Sequence, residues 1–210
     1  MAKVQILGIP QSTYTRVVCM AAHEKGVDYE LVLTPPHSEG LLAVSPLGKV
    51  PGLRHGDLEL FESSAICRYL DSAFDGPPLY PSDPAEAALC EQWISAVNSH
   101  MDRTLIRQYL LHYAFPKGAD GNPDRAAIDA AVPAVEKELA ILDKALSKTG
   151  WLVGNAMTAA DLNLAPILAY LSGTPEAGPV IGRSAGLGRF LENVRALPSF
   201  AATEPPARAA

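Results

Sequence analysis

Four prolines fall between residues 76 and 84, in the segment GPPLYPSDP. A proline lacks the N–H that helices and sheet ladders use and its ring clashes with the preceding turn, so a run this dense breaks any periodic element. The chain of 210 residues must therefore form one structure before the break and another after it, and two small domains suit that length. The break also carries a start signal. Asp83 is placed to cap a helix whose first position is Pro84, and Glu86 completes a capping box.

Before the break, β-like and helical runs alternate. VQILG reads as a strand, TRVVCMAAHEK as an amphipathic helix ending at Gly26, and DYELVLT as a second strand, which together make a βαβ opening. After a loop marked by Pro and Gly come KVPGLRH and LELF, separated by Gly56-Asp57 as in a hairpin. ESSAICRYLDSAF then places Ile66, Tyr69, Leu70 and Ala73 at helical spacing. The order βαβ then ββα predicts a mixed sheet flanked by helices over residues 1–76, with 77–84 as a linker.

Beyond the linker, residues 85–210 read as all-helical. Ile128, Val132, Val135, Leu139, Leu142 and Leu146 recur at steps of four and three, one face of a core helix with a kink expected near Pro133. Thr158 and Asp161 form a second capping box, flanked by Met157 and Leu162 at staple positions, and read as the start of a buried helix with no chemical role. The tail after Pro198, with ATEPPARAA at its end, is small and Pro-rich and is expected to fray or lie on the surface.

Composition narrows the partners. With 17 basic against 23 acidic residues the net charge is -6, which repels phosphate backbones and offers no footprint for nucleic acid or an anionic membrane. The apolar run LNLAPILAYL is about half the length a bilayer span needs, and no export signal is visible at the start. Cys19, Cys67 and Cys90 form no CxxC pair, and their odd number suits reduced thiols and a cytoplasmic protein. No HxxH, paired CxxC, Walker loop or GxSxG occurs, so metal, phosphate and acyl-enzyme chemistry lack their usual signals.

Three strings remain as candidate chemistry. Ser12, in GIPQSTYTRV, lies in the turn between the first strand and the first helix, where exposed helix amides suit an anion; the same position also suits a plain helix cap. Lys49-Val50-Pro51 precedes the third strand, and a cis Val50-Pro51 bond would turn the Val50 N–H and C=O outward for an extended peptide ligand, whereas a trans proline at a strand edge would do nothing of the kind. Glu62-Ser63 opens the third helix, where the dipole favours a carboxylate and Glu62 supplies the opposite sign. The pair can grip both charges of an amino acid or simply cap the helix.

Taken in order, PQSTYTRV, SPLGKVP and LELFESSAICRYL, followed by the Pro-rich linker, DPAEAAL and GNAMTAADLNLAP, resemble the cytosolic glutathione transferases over nearly the whole chain. The serine-type start and the phrase HEKGVDYELV are most similar to the phi and theta-like classes, as in a bacterial member. The resemblance implies a thioredoxin-like first domain, an all-helical second domain, glutathione as co-substrate, no metal, and a homodimer built through the first domain and the helix after Pro84. It places the γ-glutamyl end at Glu62 and Ser63, the cysteinyl backbone at Val50 beside Pro51, the glycyl carboxylate near His37 and Lys49, and the thiol facing Ser12.

The chemistry so implied needs a thiolate, since a free thiol near pKa 8.5 is only a few per cent ionised at neutral pH. A shift of about two units takes roughly 2.7 kcal/mol, within reach of one hydroxyl hydrogen bond plus helix-terminus amides. The expected activity is conjugation of glutathione to hydrophobic electrophiles, a detoxification reaction. The alternatives are a non-catalytic glutathione-binding interaction or carrier protein and a glutathione-dependent isomerase, peroxidase or dehalogenase. Tyr14 is set aside as the thiol partner because it should point from the first helical turn, and Cys19 because it should pack inside. The second substrate is expected against Pro10, Tyr14 and a helix face bearing His100, Met101, Leu105, Tyr109 and Tyr113. Arg16 is expected to serve structural contacts of the first helix.

Overall fold

The computed structural model describes residues 3–118 and 121–206. They form two compact units, one holding the chain up to Pro81 together with everything from Arg195 onward, the other Ser82–Val194.

In the first unit the elements run β1 Val4–Gly8, α1 Thr13–Glu24, β2 Tyr29–Leu33, α2 Glu39–Leu42, β3 Gly52–His55, β4 Leu58–Phe61 and α3 Ser63–Ala73. The mixed sheet expected from the order of runs is present, with strand order β2-β1-β3-β4, β1 parallel to β2 and antiparallel to β3, and β3 antiparallel to β4. Of these seven elements the four-residue α2 was not anticipated; it sits in the loop marked by Pro and Gly, too short to show a period.

The core of this unit is built by the alternation of β1 and the apolar stripes of α1 and α3. Ile6, Val17, Val18, Met20, Leu53, Ile66 and Leu70 are fully buried, each such side chain contributing about 1.5–3 kcal/mol. At the far end of α1 the buried Lys25 ammonium lies 3.3 Å from Asp71 and donates to the Gly76 carbonyl, while Asp71 also accepts the Leu79 N–H at 2.7 Å. This knot fastens the start of the proline-rich segment to α1 and α3. Gly76 has φ +113, and a Cβ there would meet the Lys25 carbonyl oxygen at 2.9 Å, so no larger residue fits.

The tail departs from expectation. Pro198–Ala202 forms a short helix, α10, with Ser199 and Phe200 buried. Arg16, itself only 3% exposed, donates to the Phe200 carbonyl at 2.8 Å and to Thr203 Oγ1 at 3.4 Å, and its guanidinium stacks 4.0 Å from the Phe200 ring centroid. One aromatic side chain in a run of small residues was enough to dock the segment, because it gave a buried cation both a π face and a carbonyl. Residues 207–210 of the tail lie outside the described residues.

The second unit comprises α4 Pro84–Ser95, a π-helical stretch Ala96–Leu110, α5 Leu111–Ala114, α6 Arg125–Leu146, α7 Ala159–Leu171, α8 Ala177–Arg183 and α9 Ala185–Arg195. Asp83 caps α4 as expected, accepting from the Ala85 and Glu86 amides at 3.0 Å. The π winding of Ala96–Leu110 was not expected; Met101, Leu105 and Tyr109 follow one another at steps of four and are all buried. In α6 the buried stripe takes Ala131 in place of the half-buried Val132, and the helix runs on past Pro133 to Leu146.

Asp161 anchors this unit. It has no exposed surface, and its carboxylate accepts the Leu152 amide at 2.8 Å, the Thr158 amide at 2.8 Å and the Thr158 hydroxyl at 2.9 Å. Burial pushes its pKa up to about 6, against the pull of these donors. A second polar knot joins Glu176 to Tyr109 at 2.7 Å, Tyr113 at 2.5 Å and Arg125 at 2.8 Å. Desolvation raises the Glu176 pKa, but the three donors outweigh it and bring it down to about 2.

Candidate active site

Sheet register brings the three candidate strings to one place. Leu7 pairs with Gly52, and Gly52 pairs with Phe61. Because β3 runs against both β1 and β4, the loop leaving β1, the residues entering β3 and the residues leaving β4 all emerge at the same end of the sheet. Gly8 pairs with Leu33, which adds the loop leaving β2 to that end. Neighbouring strands are about 4.8 Å apart, so the four chain crossings span roughly 14 Å. Ser12, His37, Lys49-Val50-Pro51 and Glu62-Ser63 are all carried on these four connections.

Two helix N-termini face this end. Ser12 is the N-cap of α1, with extended backbone, and its half-buried hydroxyl accepts the Thr15 amide at 3.3 Å. A serine hydroxyl has two lone pairs and one hydrogen, so capping leaves its O–H able to donate; the cap and the anion partner are compatible roles for one side chain. Glu62 holds the N-cap position of α3 and Ser63, largely buried, is its first residue. The positive ends of both helices thus bias the region toward negative charge.

Backbone conformation marks the site more sharply than composition does. Among the described residues only His37 and Glu62 are non-glycine residues with positive φ, at 60° and 69°, and both were singled out from the sequence on other grounds. Such conformations cost on the order of 1–3 kcal/mol and persist where the surroundings over-determine them. For Glu62, φ 69° with ψ 114° turns the chain from β4 into α3 and leaves the side chain exposed. The Val50-Pro51 bond is cis, in line with the expectation from its place before β3.

The cysteines offer no rival nucleophile. All three are buried. Burial pushes the Cys19 thiol up to about 11, with a hydrogen bond from Tyr29 opposing it, and pushes the Cys67 thiol up to about 12. Both are protonated at neutral pH. A cavity of about 120 Å³ beneath α1 is bordered by Arg16, Cys19, Tyr29 and Thr203, well below the size of a drug-like ligand pocket.

The residues expected to meet a second substrate are divided between the units. Pro10 and Tyr14 are half-buried in the β1–α1 connection and the first turn of α1. Leu105 and Tyr109 are completely buried and Met101 is 5% exposed. The Tyr109 hydroxyl is engaged with Thr174 and Glu176, so these three side chains are packed interior rather than open surface. His100 is exposed, and Tyr113 is half-buried with its hydroxyl on Glu176.

This architecture recurs in known proteins. Residues 7–78 match the family model of the glutathione S-transferase N-terminal domain, and residues 96–198 match that of the C-terminal domain. The chain is 30% identical to glutathione S-transferase 3 of Zea mays, covering 97% of this chain and 94% of the relative. It belongs to the glutathione S-transferase family. A second relative, GstB of Escherichia coli strain K12, is 30% identical over 79% of this chain and 81% of its own length. Among solved structures, glutathione transferase F7 of Populus trichocarpa superposes with a TM-score of 0.85 at 29% identity, over 95% of this chain and 97% of that one. A theta class glutathione S-transferase from Xanthomonas axonopodis pv. citri, solved with glutathione bound, superposes with a TM-score of 0.83 at 27% identity over 100% and 99% of the two chains. The transferase fold is therefore the thioredoxin-like sheet domain followed by a helical domain. No helix among the described residues is long and apolar enough to cross a membrane.

Proposed function

We propose that this chain binds glutathione across the end of the sheet and conjugates its thiolate to hydrophobic electrophiles. One observation carries the reading: the Leu7–Gly52–Phe61 row gathers Ser12, Val50 and Glu62-Ser63 at the sheet end where α1 and α3 present their N-termini. An extended tripeptide is about 10 Å long, enough to reach from the β4 crossing over β3 to β1. The γ-glutamyl ammonium and carboxylate meet Glu62 and the Ser63 end of α3. The cysteinyl main chain lies along Val50 and Pro51. The sulfur then falls beside Ser12, and the glycyl end extends toward His37 and Lys49.

Ser12 works as a donor. Its O–H and the amides at the start of α1 stabilise S⁻ over SH, so the bound thiol loses its proton to solvent and needs no separate base. The sulfur attacks the electrophilic carbon, forming the C–S bond as the leaving group departs with its electron pair. Pro10 and Tyr14, beside Ser12 in sequence and half-buried, form the protein's contact with the electrophile. The enzyme acts as a homodimer, for which the exposed Leu47 and Phe61 supply apolar surface that a second copy can cover.

The test is to titrate bound glutathione by thiolate absorbance against pH and then to screen a panel of electrophiles. A thiol pKa well below 8.5 together with turnover supports the reading, and an unshifted thiol refutes it. Sedimentation that finds a stable monomer would refute the dimer alone.

A further inference from the structure

Gly48 lies in the loop before β3, inside the string SPLGKVP, with no role assigned to it by the sequence. Its backbone is tied to the loop leaving β2: the His37 amide donates to the Gly48 carbonyl at 2.9 Å. Both partners have left-handed backbones, φ 60° at His37 and 64° at Gly48. The imidazole rests directly on the bare Cα of Gly48. A Cβ built there would lie 2.9 Å from the ring Cε1, 3.1 Å from Cγ and closer still to Nδ1. Gly48 is buried while His37 is exposed, so the glycine forms a floor and the ring is its outward-facing cover. Lys49 follows Gly48 directly and is exposed.

The loop therefore does two things at once. The amide-to-carbonyl clip sets the His37 main chain, and the missing side chain at 48 gives the imidazole a seat against the Gly48 backbone, with Lys49 the next residue in the chain. The seat matters because an exposed histidine has no other means of holding one orientation, and a fixed donor loses less entropy on binding than a free one. Both groups recognise a carboxylate. His37 is carried by the chain leaving β2, the strand at the opposite end of the row from β4 and Glu62-Ser63, and Lys49 by the chain entering β3.

We propose that Gly48 is a positioning residue for the carboxyl-terminal end of the ligand, and that the His37–Gly48–Lys49 clip is what selects glutathione over γ-glutamylcysteine, which lacks the glycyl carboxylate. The inference rests on the glutathione reading above. Substituting alanine at 48 displaces the ring, whose overlapping atoms can swing into solvent, and adds the strain of a left-handed backbone at φ 64°, which a thermal melt reports separately and which both ligands feel alike. Loss of the seat is then felt by a ligand with a glycyl carboxylate and not by one without.

The experiment measures dissociation constants for glutathione and for γ-glutamylcysteine by calorimetry on the full chain, in the wild type, Gly48→Ala, His37→Asn and the double variant. Asparagine tolerates the left-handed backbone at 37, so that variant removes the ring without disturbing the clip. The wild type is expected to prefer glutathione by about tenfold, the worth of one charge-assisted hydrogen bond. Each single variant should lose most of that preference through weaker glutathione binding, with γ-glutamylcysteine binding unchanged. The double variant should lose no more than His37→Asn alone. Equal weakening of both ligands in Gly48→Ala, or a retained preference in either single variant, overturns the proposal. Should Gly48→Ala fail to fold, His37→Asn alone decides it by the same ratio. A wild type that binds glutathione without preference refutes this inference only, whereas one that binds neither ligand refutes the glutathione reading as well.

Discussion

Ser12→Ala removes the N-cap hydroxyl of α1, which accepts the Thr15 amide at 3.3 Å. A hydrogen bond to a charged partner is worth about 1.5–3 kcal/mol, and 1.36 kcal/mol corresponds to one pKa unit. If the bound thiol of the wild type ionises near 6.5, about two units below its ordinary value, losing about 2 kcal/mol returns it to about 8. The thiolate fraction at pH 6.5 then drops from about one half to about 3%, roughly fifteenfold, while at pH 9 it changes only from nearly all to about nine tenths. The conjugation rate at saturating glutathione should follow the same curve, with a large deficit in mild acid that closes as the pH rises. Thiolate absorbance and rate are measured on the same samples across pH 5.5–9.5, the rate with an electrophile of pH-independent reactivity. The lost cap costs about 1 kcal/mol of helix stability, and a thermal melt reports that separately. A rate deficit of equal size at every pH, or none at all, would refute the assignment of Ser12 to the thiolate.

Replacing Asp161 with Ala leaves the buried Leu152 and Thr158 amides without their acceptor and should cost about 2–5 kcal/mol in chemical denaturation. The same carboxyl has a folded pKa raised from 3.8 to about 6. The folded state therefore holds the proton more tightly, and stability from this group is greatest below pH 4 and falls as the pH rises toward 6, by on the order of 3 kcal/mol. Asp161→Asn should flatten that slope. Glu176 has the opposite sign: its pKa is lowered from 4.5 to about 2, so its contribution is present above about pH 4.5 and lost as the pH falls toward 2. Glu176→Gln should show less acid destabilisation below pH 4.5, a modest effect because the group is partly open to solvent. Arg16→Met should free the α10 segment, seen as faster proteolysis after Arg195 with Ser12 chemistry otherwise intact. Glu62→Gly, which tolerates φ 69° without strain, should not lower the melting temperature yet should weaken glutathione binding at least tenfold, the worth of about 1.4 kcal/mol of contact to the ligand ammonium.

How far the residues speak for themselves differs from element to element. Strand β1 and helices α1 and α3 stand out because each buries an apolar face, β4 shows only through the Gly56-Asp57 turn before it, and Asp83, Thr158 and Asp161 announce their helices because capping is chemistry within four residues. Ser12, Val50 and Glu62 were readable as candidates because each sits at an element boundary. The seat beneath His37 was not readable, since the contact joins residues 37 and 48 through a loop with no period. Docking of the tail on Arg16 was equally hidden: the pairing spans 184 residues of sequence, and Phe200 among alanines carries no local signal of its partner. Tyr109, which helical phase offered as pocket lining, turned inward because Thr174 and Glu176 supply partners for its hydroxyl.

Local interactions marked most of the strands, helices and breaks, since hydrophobic period, capping side chains and prolines act over one or two turns, but not α2, the π winding of Ala96–Leu110 or the docked tail helix. Tertiary structure decided what those pieces do together. Only the antiparallel turn of β3 between β1 and β4 puts Ser12, Val50 and Glu62 at one end of a sheet, and the bond from the His37 amide to the Gly48 carbonyl ties the left-handed His37 across the loop. Both depend on contacts between residues far apart in sequence, whose energies no short stretch of chain contains.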